Sequence, residues 1–224
     1  MIQALYQDEE VLVIDKPAGL ATQPGAGVRV SVVEAVERDF GFRPYLVHRL
    51  DKETAGCLVV ARASRAAASW SALVESRELR KTYRAVVSGR PEGEAGVFDE
   101  AVKNRGVERA ASTSWSLVGS FAGYSYLELV LGTGRTHQIR LHLASHGLPI
   151  LGDDRHGDFA LNKRLRKEAG LKRLLLVAWS LDLPGGKTVR ASVPEHFSDF
   201  LSRFPDAPAP DAPAKIPSRG RSSP

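Results

Sequence analysis

Three stretches of the chain set reactive side chains in glycine-flanked segments: His48-Arg49-Leu50-Asp51-Lys52-Glu53-Thr54-Ala55-Gly56, Lys81-Thr82-Tyr83-Arg84-Ala85-Val86-Val87-Ser88-Gly89 and Gly134-Arg135-Thr136-His137-Gln138-Ile139-Arg140-Leu141-His142. Taken singly, each residue has an ordinary reading. Asp51 beside Arg49 or Lys52 fits an ion pair in a surface turn, Tyr83 fits a core position on a strand, and Arg135 alone carries no signal. Asp51 with Glu53 suggests glycoside hydrolysis, which needs carboxyls ~5 to 9.5 Å apart across a sugar with a water admitted. His142 and His146 have an i, i+4 spacing that suits zinc, with His137 nearby, but no His-Glu pair or cysteine cluster accompanies them. No metal is expected. Gly132-Thr133-Gly134 and Gly25-Ala26-Gly27 lack the lysine of a phosphate-binding loop and the third glycine of a dinucleotide fingerprint, so no nucleotide cofactor is expected either.

The elements that must position these groups are legible from pattern. Glu10-Val-Leu-Val-Ile-Asp15 reads as a strand stopped by Lys16-Pro17-Ala18-Gly19. Ser31 followed by Glu34 and closed by Gly41 predicts a helix with a capping box and a glycine stop. A strand is expected from Gly56 to Ala61, an amphipathic helix from Ser64 to Leu79, and a strand from Lys81 to Ser88. Further strands are expected around Ser112 to Val118 and Tyr124 to Leu131, then a helix from Gln138 to Ser145 stopped by Gly147. A last pair, Arg173 to Leu183 and Thr188 to Val193, turns at Pro184-Gly185-Gly186. The fold class is α+β, with a central, mostly antiparallel mixed sheet flanked by helices and loops. Residues 1–204 read as one domain. Residues 205–224 hold six prolines and few apolar groups, which predicts a disordered tail.

Composition narrows the class. With 224 residues, 43% hydrophobic and 25% charged, the chain buries roughly 70% of its unfolded surface and needs no disulfide to fold. A single cysteine, Cys57, and the lack of a signal peptide or a long apolar run point to a cytoplasmic protein away from membranes. The net charge of +5 is localised: residues 131–180 carry nine bases against four acids, and the remainder is balanced at 22 of each. A basic excess confined to one quarter of the chain suits docking to a polyanion, or a solvated helix face around Lys163 to Lys172.

Together the three segments resemble the motifs of the RluA-type pseudouridine synthases, which isomerise uridine in ribosomal or transfer RNA. Asp15-Lys16-Pro17-Ala18-Gly19 and Gly152-Asp153-Asp154-Arg155-His156-Gly157-Asp158 extend the likeness over about residues 5–204. The resemblance implies a monomeric, cofactor-free enzyme with a catalytic domain at 1–204. The reaction breaks the bond from base nitrogen to sugar, turns the freed base and rejoins it through a ring carbon. A carboxylate suits it, as nucleophile towards the sugar or the base or as acceptor of a sugar proton, and the resemblance assigns that part to Asp51.

A fixed cation within ~4 to 6 Å keeps such a carboxylate ionised, and the resemblance assigns that part to Arg135. Tyr83 is expected to stack on uracil, with proton transfer as a further possibility. Arg49 is expected at the RNA, filling the gap left by a flipped-out uridine. Lys16, Lys81 and Arg140 are expected at phosphates, and Lys163, Arg164 and Lys167 within a basic segment, 155–173, that grips the RNA backbone. Because the chain opens on the catalytic strand, target selection is expected from the catalytic surface. Large-subunit ribosomal RNA is the expected substrate, since Gly152 through Asn162 to the strand Leu174–Ala178 resembles ribosomal members. A transfer-RNA anticodon arm is the alternative, and a non-catalytic RNA-binding protein is the alternative from another class.

Overall fold

Apolar runs at the start of the chain pair into an antiparallel hairpin, β1 (Gln3–Gln7) with β2 (Val11–Lys16), in a computed structural model that describes residues 1–104 and 106–215. Next comes α1 (Val32–Phe40), with the ends predicted: Ser31 accepts the Val33 amide, Glu34 accepts the Ser31 amide, and Gly41 stops the helix at φ 74°. β3 (Tyr45–Leu46) and β4 (Ala55–Ala61) bracket the first motif, and α2 (Ser64–Glu75) follows. This helix ends short of the predicted Leu79 because Arg77 turns left-handed at φ 68°, although Leu79 still packs in the core. Next are β5 (Arg80–Ser88), β6 (Ala95–Phe98), β7 (Val102–Asn104), β8 (Val107–Arg109), β9 (Thr113–Phe121) and β10 (Tyr124–Leu131). The chain continues through α3 (Gln138–Ser145), α4 (Phe159–Glu168), β11 (Leu176–Asp182), β12 (Thr188–Arg190) and α5 (Glu195–Leu201).

Among the described residues ten strands form one mixed sheet in the order β1-β2-β4-β11-β5-β10-β9-β6, with β3 on β4 and β12 on β11. Its pairings are antiparallel except β4 with β11. That parallel contact depends on Gly56, at φ +109°, where a Cβ would stand 2.2 Å from the Ala178 carbonyl oxygen. Only glycine lets the two backbones approach so closely. β4 is buried along its whole length, as its unbroken apolar sequence requires. β7 and β8 form a separate hairpin.

Side chains alternate between two packed faces. On one face Leu12, Ile14, Leu58, Val60, Tyr83, Ala85 and Leu129 meet α1 and α3 through Val32, Val36, Ile139 and Leu143. On the other, Val11, Val13 and Val59 meet Trp70 of α2, while Val86, Tyr126 and Val177 meet Leu165 of α4 and Phe197 and Phe200 of α5. The motifs' reactive groups gather on the first face.

The predicted disordered tail has to be corrected for residues 205–215, which are bound to the second face. The Tyr126 hydroxyl and Arg84 Nη1 both donate to the Pro210 carbonyl, at 2.6 and 2.9 Å, and the Lys215 amide donates to Leu117 at 2.8 Å. Ala207, Ala212 and Ala214 pack on the aromatic cluster. Composition misled because prolines lose little backbone freedom on ordering, so a few carbonyl and methyl contacts suffice. Residues 216–224 of that expectation lie outside the described residues.

Candidate active site

The Asp51 turn is pinned from three sides. Thr22 Oγ1 donates to the Leu50 carbonyl at 2.7 Å and accepts the Leu50 amide at 3.2 Å. The Thr54 amide bonds Asp51 O at 3.1 Å, and the Gly19 amide bonds Lys52 O at 2.8 Å. Lys16, fully buried, sends its ammonium to the carbonyls of Pro17, Leu20 and Lys52 at 3.0, 2.8 and 3.2 Å. Burial pushes its pKa down to about 7, against the pull of Glu53, Asp51 and Asp15. Lys16 is therefore no phosphate ligand, contrary to expectation. All three of its donors are spent on the Asp51 turn and on the 17–20 loop packed against it.

Asp51 extends from this turn into the cleft with its side chain 18% exposed. Its cationic partner is Arg140, whose Nη1 lies 3.3 Å from Asp51 Oδ2. Arg135 is exposed instead, and its Nε bonds the Ala110 carbonyl at 3.3 Å. Its assignment as the cation beside Asp51 is thus corrected, and so is that of Arg140 as a phosphate contact. The reason is local. Gln138 fastens the loop before α3, its Oε1 accepting from Thr133 and the Arg135 amide while its Nε2 donates to Ser112 O and Thr113. That turn leaves Arg135 at the rim, while Arg140, one turn before buried Leu143 on α3, faces inward.

A carboxylate that sequence reasoning left unassigned holds Arg140 in place. Asp153, 1% exposed at its side chain, accepts from Arg140 Nε and Nη2 at 2.7 and 2.6 Å and from the amides of Arg155 and His156 at 2.9 and 3.0 Å. Burial works to raise its pKa, but the bonds from Arg140 and the two amides outweigh burial and hold it below the ordinary carboxylate value. Gly152 permits the turn: at φ +79° a Cβ there would stand 2.1 Å from the Arg173 carbonyl oxygen. His137, left-handed at φ 57°, brings Nε2 to 3.7 Å from Asp51, and its Nδ1 shares a hydrogen bond of 2.9 Å with His156 Nε2. Neither histidine could be paired from sequence, since they are contributed by different loops.

The cleft holds about 230 Å³ and is walled by Leu50, Tyr83, Leu131, Ile139 and Leu176, with Lys81, Asp51, His137 and Arg140 among its polar groups. This is below the ~300 to 1,000 Å³ of drug-sized sites and suits a single base. Tyr83 faces it from β5, 6% exposed, between Leu129 and Ala178 on the neighbouring strands. Burial, helped by the Asp51 charge, raises its pKa, so the phenol keeps its proton and offers a stacking face and a donor. His48 lines the floor, and its Nε2 accepts the Val59 amide at 3.2 Å.

A second groove, of about 440 Å³, adjoins the mouth and is lined by Arg49, Arg109, Arg135, Val102 and Val107 from the β7–β8 hairpin and the motif loops. The three arginines give it a positive surface. Lys163, Arg164 and Lys167 are exposed on α4, with Arg164 3.7 Å from Glu168. Lys172 and Arg173 are paired with Asp199 and Glu53, so part of the basic excess of this segment is neutralised within the fold.

A family model described as RNA pseudouridylate synthase matches residues 10–145. The ribosomal large subunit pseudouridine synthase D of Xanthomonas campestris pv. campestris is 37% identical over 90% of this chain and 69% of its own length. The tRNA pseudouridine synthase C of Yersinia pestis is 34% identical over 82% of this chain and 81% of its own. Among solved structures, human RNA pseudouridylate synthase domain containing 4 superposes with a TM-score of 0.75 at 25% identity, covering 96% of this chain and 94% of that one.

Proposed function

Because the chain belongs to the RNA pseudouridylate synthase family, and within it to the RluA type, we propose that its cleft isomerises uridines of large-subunit ribosomal RNA with Asp51 as the acting carboxylate. The observation that carries this reading is the setting of that carboxylate: three-sided anchoring of its turn, one guanidinium at 3.3 Å and a cleft sized for one base. The target uridine must leave its stack to enter, at a cost of a few kcal/mol offset by protein contacts. Tyr83 then stacks on uracil, and the apolar walls keep the loose base from water.

Asp51 meets the ribose. As nucleophile at C1′ or as acceptor of the 2′ proton, it needs the same things, a fixed position and a counter-charge that does not move. Arg140 supplies the counter-charge and Asp153 its fixity. Atoms and electrons are conserved across the isomerisation, so no redox partner or co-substrate is needed. The groove of Arg49, Arg109 and Arg135 suits the flanking phosphodiesters, and exposed Lys163, Arg164 and Lys167 add further backbone contacts. The enzyme acts as a cytoplasmic monomer in this account.

The likeness to large-subunit synthases supports ribosomal RNA. A transfer-RNA target is the second reading, favoured by the tRNA synthase C relative, which this chain spans over 81% of its length. Mapping pseudouridines in total RNA from cells with and without the gene tests both. Loss of a site in large-subunit RNA is the expected result. Loss only in transfer RNA selects the second reading, and an unchanged map overturns both.

A further inference from the structure

Lys81 differs from the other buried cations in having nothing to neutralise it. Lys16 is bonded to three carbonyls, Arg84 to Glu128 and Pro210, and Arg140 to Asp51 and Asp153. Lys81, 9% exposed, has no hydrogen bond or ion pair among the described residues. It lies two residues before Tyr83 on β5, so both side chains leave the same face of the strand, and both line the cleft. Its Nζ stands beside Gly134, 3.9 Å from where a Cβ on that residue would be, and its charge is felt at His48 on the cleft floor. Burial lowers its pKa. Keeping an ammonium largely buried at the cleft wall with no carboxylate or carbonyl partner is costly, and such an arrangement is useful where negative charge develops during the reaction.

We propose that Lys81 is a catalytic residue that donates a hydrogen bond to a carbonyl oxygen of the flipped uracil and holds the charge the base acquires when its bond to the sugar breaks. The proposal rests on the synthase reading above. When the N1–C1′ bond breaks, its electron pair leaves with the base, and the charge spreads over N1 and the two carbonyl oxygens. The turned base returns a pair from C5 to C1′. C5 then loses its proton and N1 gains one, so the balance closes without a co-reactant. A donor already aimed at a carbonyl binds the anion more tightly than the neutral base, and that difference lowers the barrier. A phosphate contact, the role first expected of Lys81, predicts weaker affinity instead of a slower rate.

The test is single-turnover kinetics of Lys81→Met on an in vitro transcript of large-subunit ribosomal RNA and on the same transcript made with 5-fluorouridine, followed as loss of the parent nucleoside through cleavage of its N1–C1′ bond, since a fluorinated C5 has no proton to lose and cannot complete the isomerisation. Fluorine takes up part of the negative charge and makes the base a better leaving group. The expected result is a rate loss of ~100-fold or more on uridine, the scale of removing one oxyanion donor, with RNA affinity and its salt dependence unchanged. On 5-fluorouridine the deficit shrinks severalfold. An equal deficit on both transcripts marks a structural role and overturns the proposal. A salt slope shallower by ~0.7 with the rate retained overturns it in favour of a phosphate contact. Lys81→Gln is read the same way if the Met variant does not fold. Should the wild-type protein isomerise neither the ribosomal transcript nor transfer RNA, it is the synthase reading that fails.

Discussion

Arg140 is gripped by Asp153 through two of its nitrogens, at 2.7 and 2.6 Å, and only the third is left to reach Asp51 at 3.3 Å. The order matters, because the bidentate bond fixes the plane of the guanidinium and so the place where its free edge points. Asp153→Asn is expected to leave a buried cation half-paired, costing ~3 to 5 kcal/mol of stability in urea unfolding. Where the variant still folds, its kcat falls by ~100-fold with RNA affinity kept, as a misplaced catalytic group implies. A variant as fast and as stable as wild type would remove Asp153 from the account.

Arg135 and Arg140, five residues apart, should separate cleanly. Arg135→Ala is expected to weaken RNA binding and flatten its salt dependence by ~0.7, the share of a single phosphate on a single strand, leaving the single-turnover rate nearly intact. Arg140→Lys is expected to keep affinity and lose rate, since a point charge cannot bridge two carboxylates in a plane. The opposite pattern in filter binding and single-turnover assays would return Arg135 to the side of Asp51.

His48 gives the fold an acid limit. Burial, with the nearby Lys81 charge, pushes its pKa down to about 3, whereas in the unfolded chain it titrates near ~6.5. Below that upper value the unfolded chain binds a proton the folded one does not, so stability falls as pH drops from ~6.5 towards ~3, by up to ~1.4 kcal/mol per unit. His48→Gln, which keeps an acceptor for the Val59 amide, should flatten this slope by one proton's worth. An unchanged slope in urea melts at pH 6 and 4 counts against a neutral His48 in the folded protein.

Truncation after residue 204 tests the docked tail. Removing Pro210 leaves the Tyr126 hydroxyl and Arg84 Nη1 without their shared acceptor. A loss of ~1 to 3 kcal/mol is expected, with the rate on RNA unchanged because the strap lies on the face away from the cleft. No loss of stability would show that the docking contributes nothing.

Much of this arrangement is legible in the sequence, for reasons that can be named. Ser31, Glu34 and Gly41 mark α1 because capping chemistry is local, whereas α3, whose N-terminus has no side-chain cap, is marked by Ile139 and Leu143 on one face and by the glycine stop at Gly147. β1 escapes such a reading because its side chains are exposed or half-buried and give no clean alternation, and β7 and β8 because three residues each carry too little pattern. The position of Asp51 in a pinned turn follows from the motif, but its partner does not. Proximity in sequence to a helix start favours Arg135, whereas the pairing is decided by Asp153, thirteen residues beyond Arg140 and reached only once the chain has folded. Lys16 reads as an exposed cation until its three carbonyl partners come together from separate loops.

The central claim is that the carboxylate at position 51 performs the isomerisation. Its most direct test is tritium release from RNA labelled at uracil C5, measured for wild type and Asp51→Asn alongside RNA affinity. The account predicts release by the wild type and none above background by the variant, with affinities within about tenfold of each other, since Asp51 meets the ribose and contributes little to backbone docking. Release by Asp51→Asn at a rate near that of wild type would contradict it.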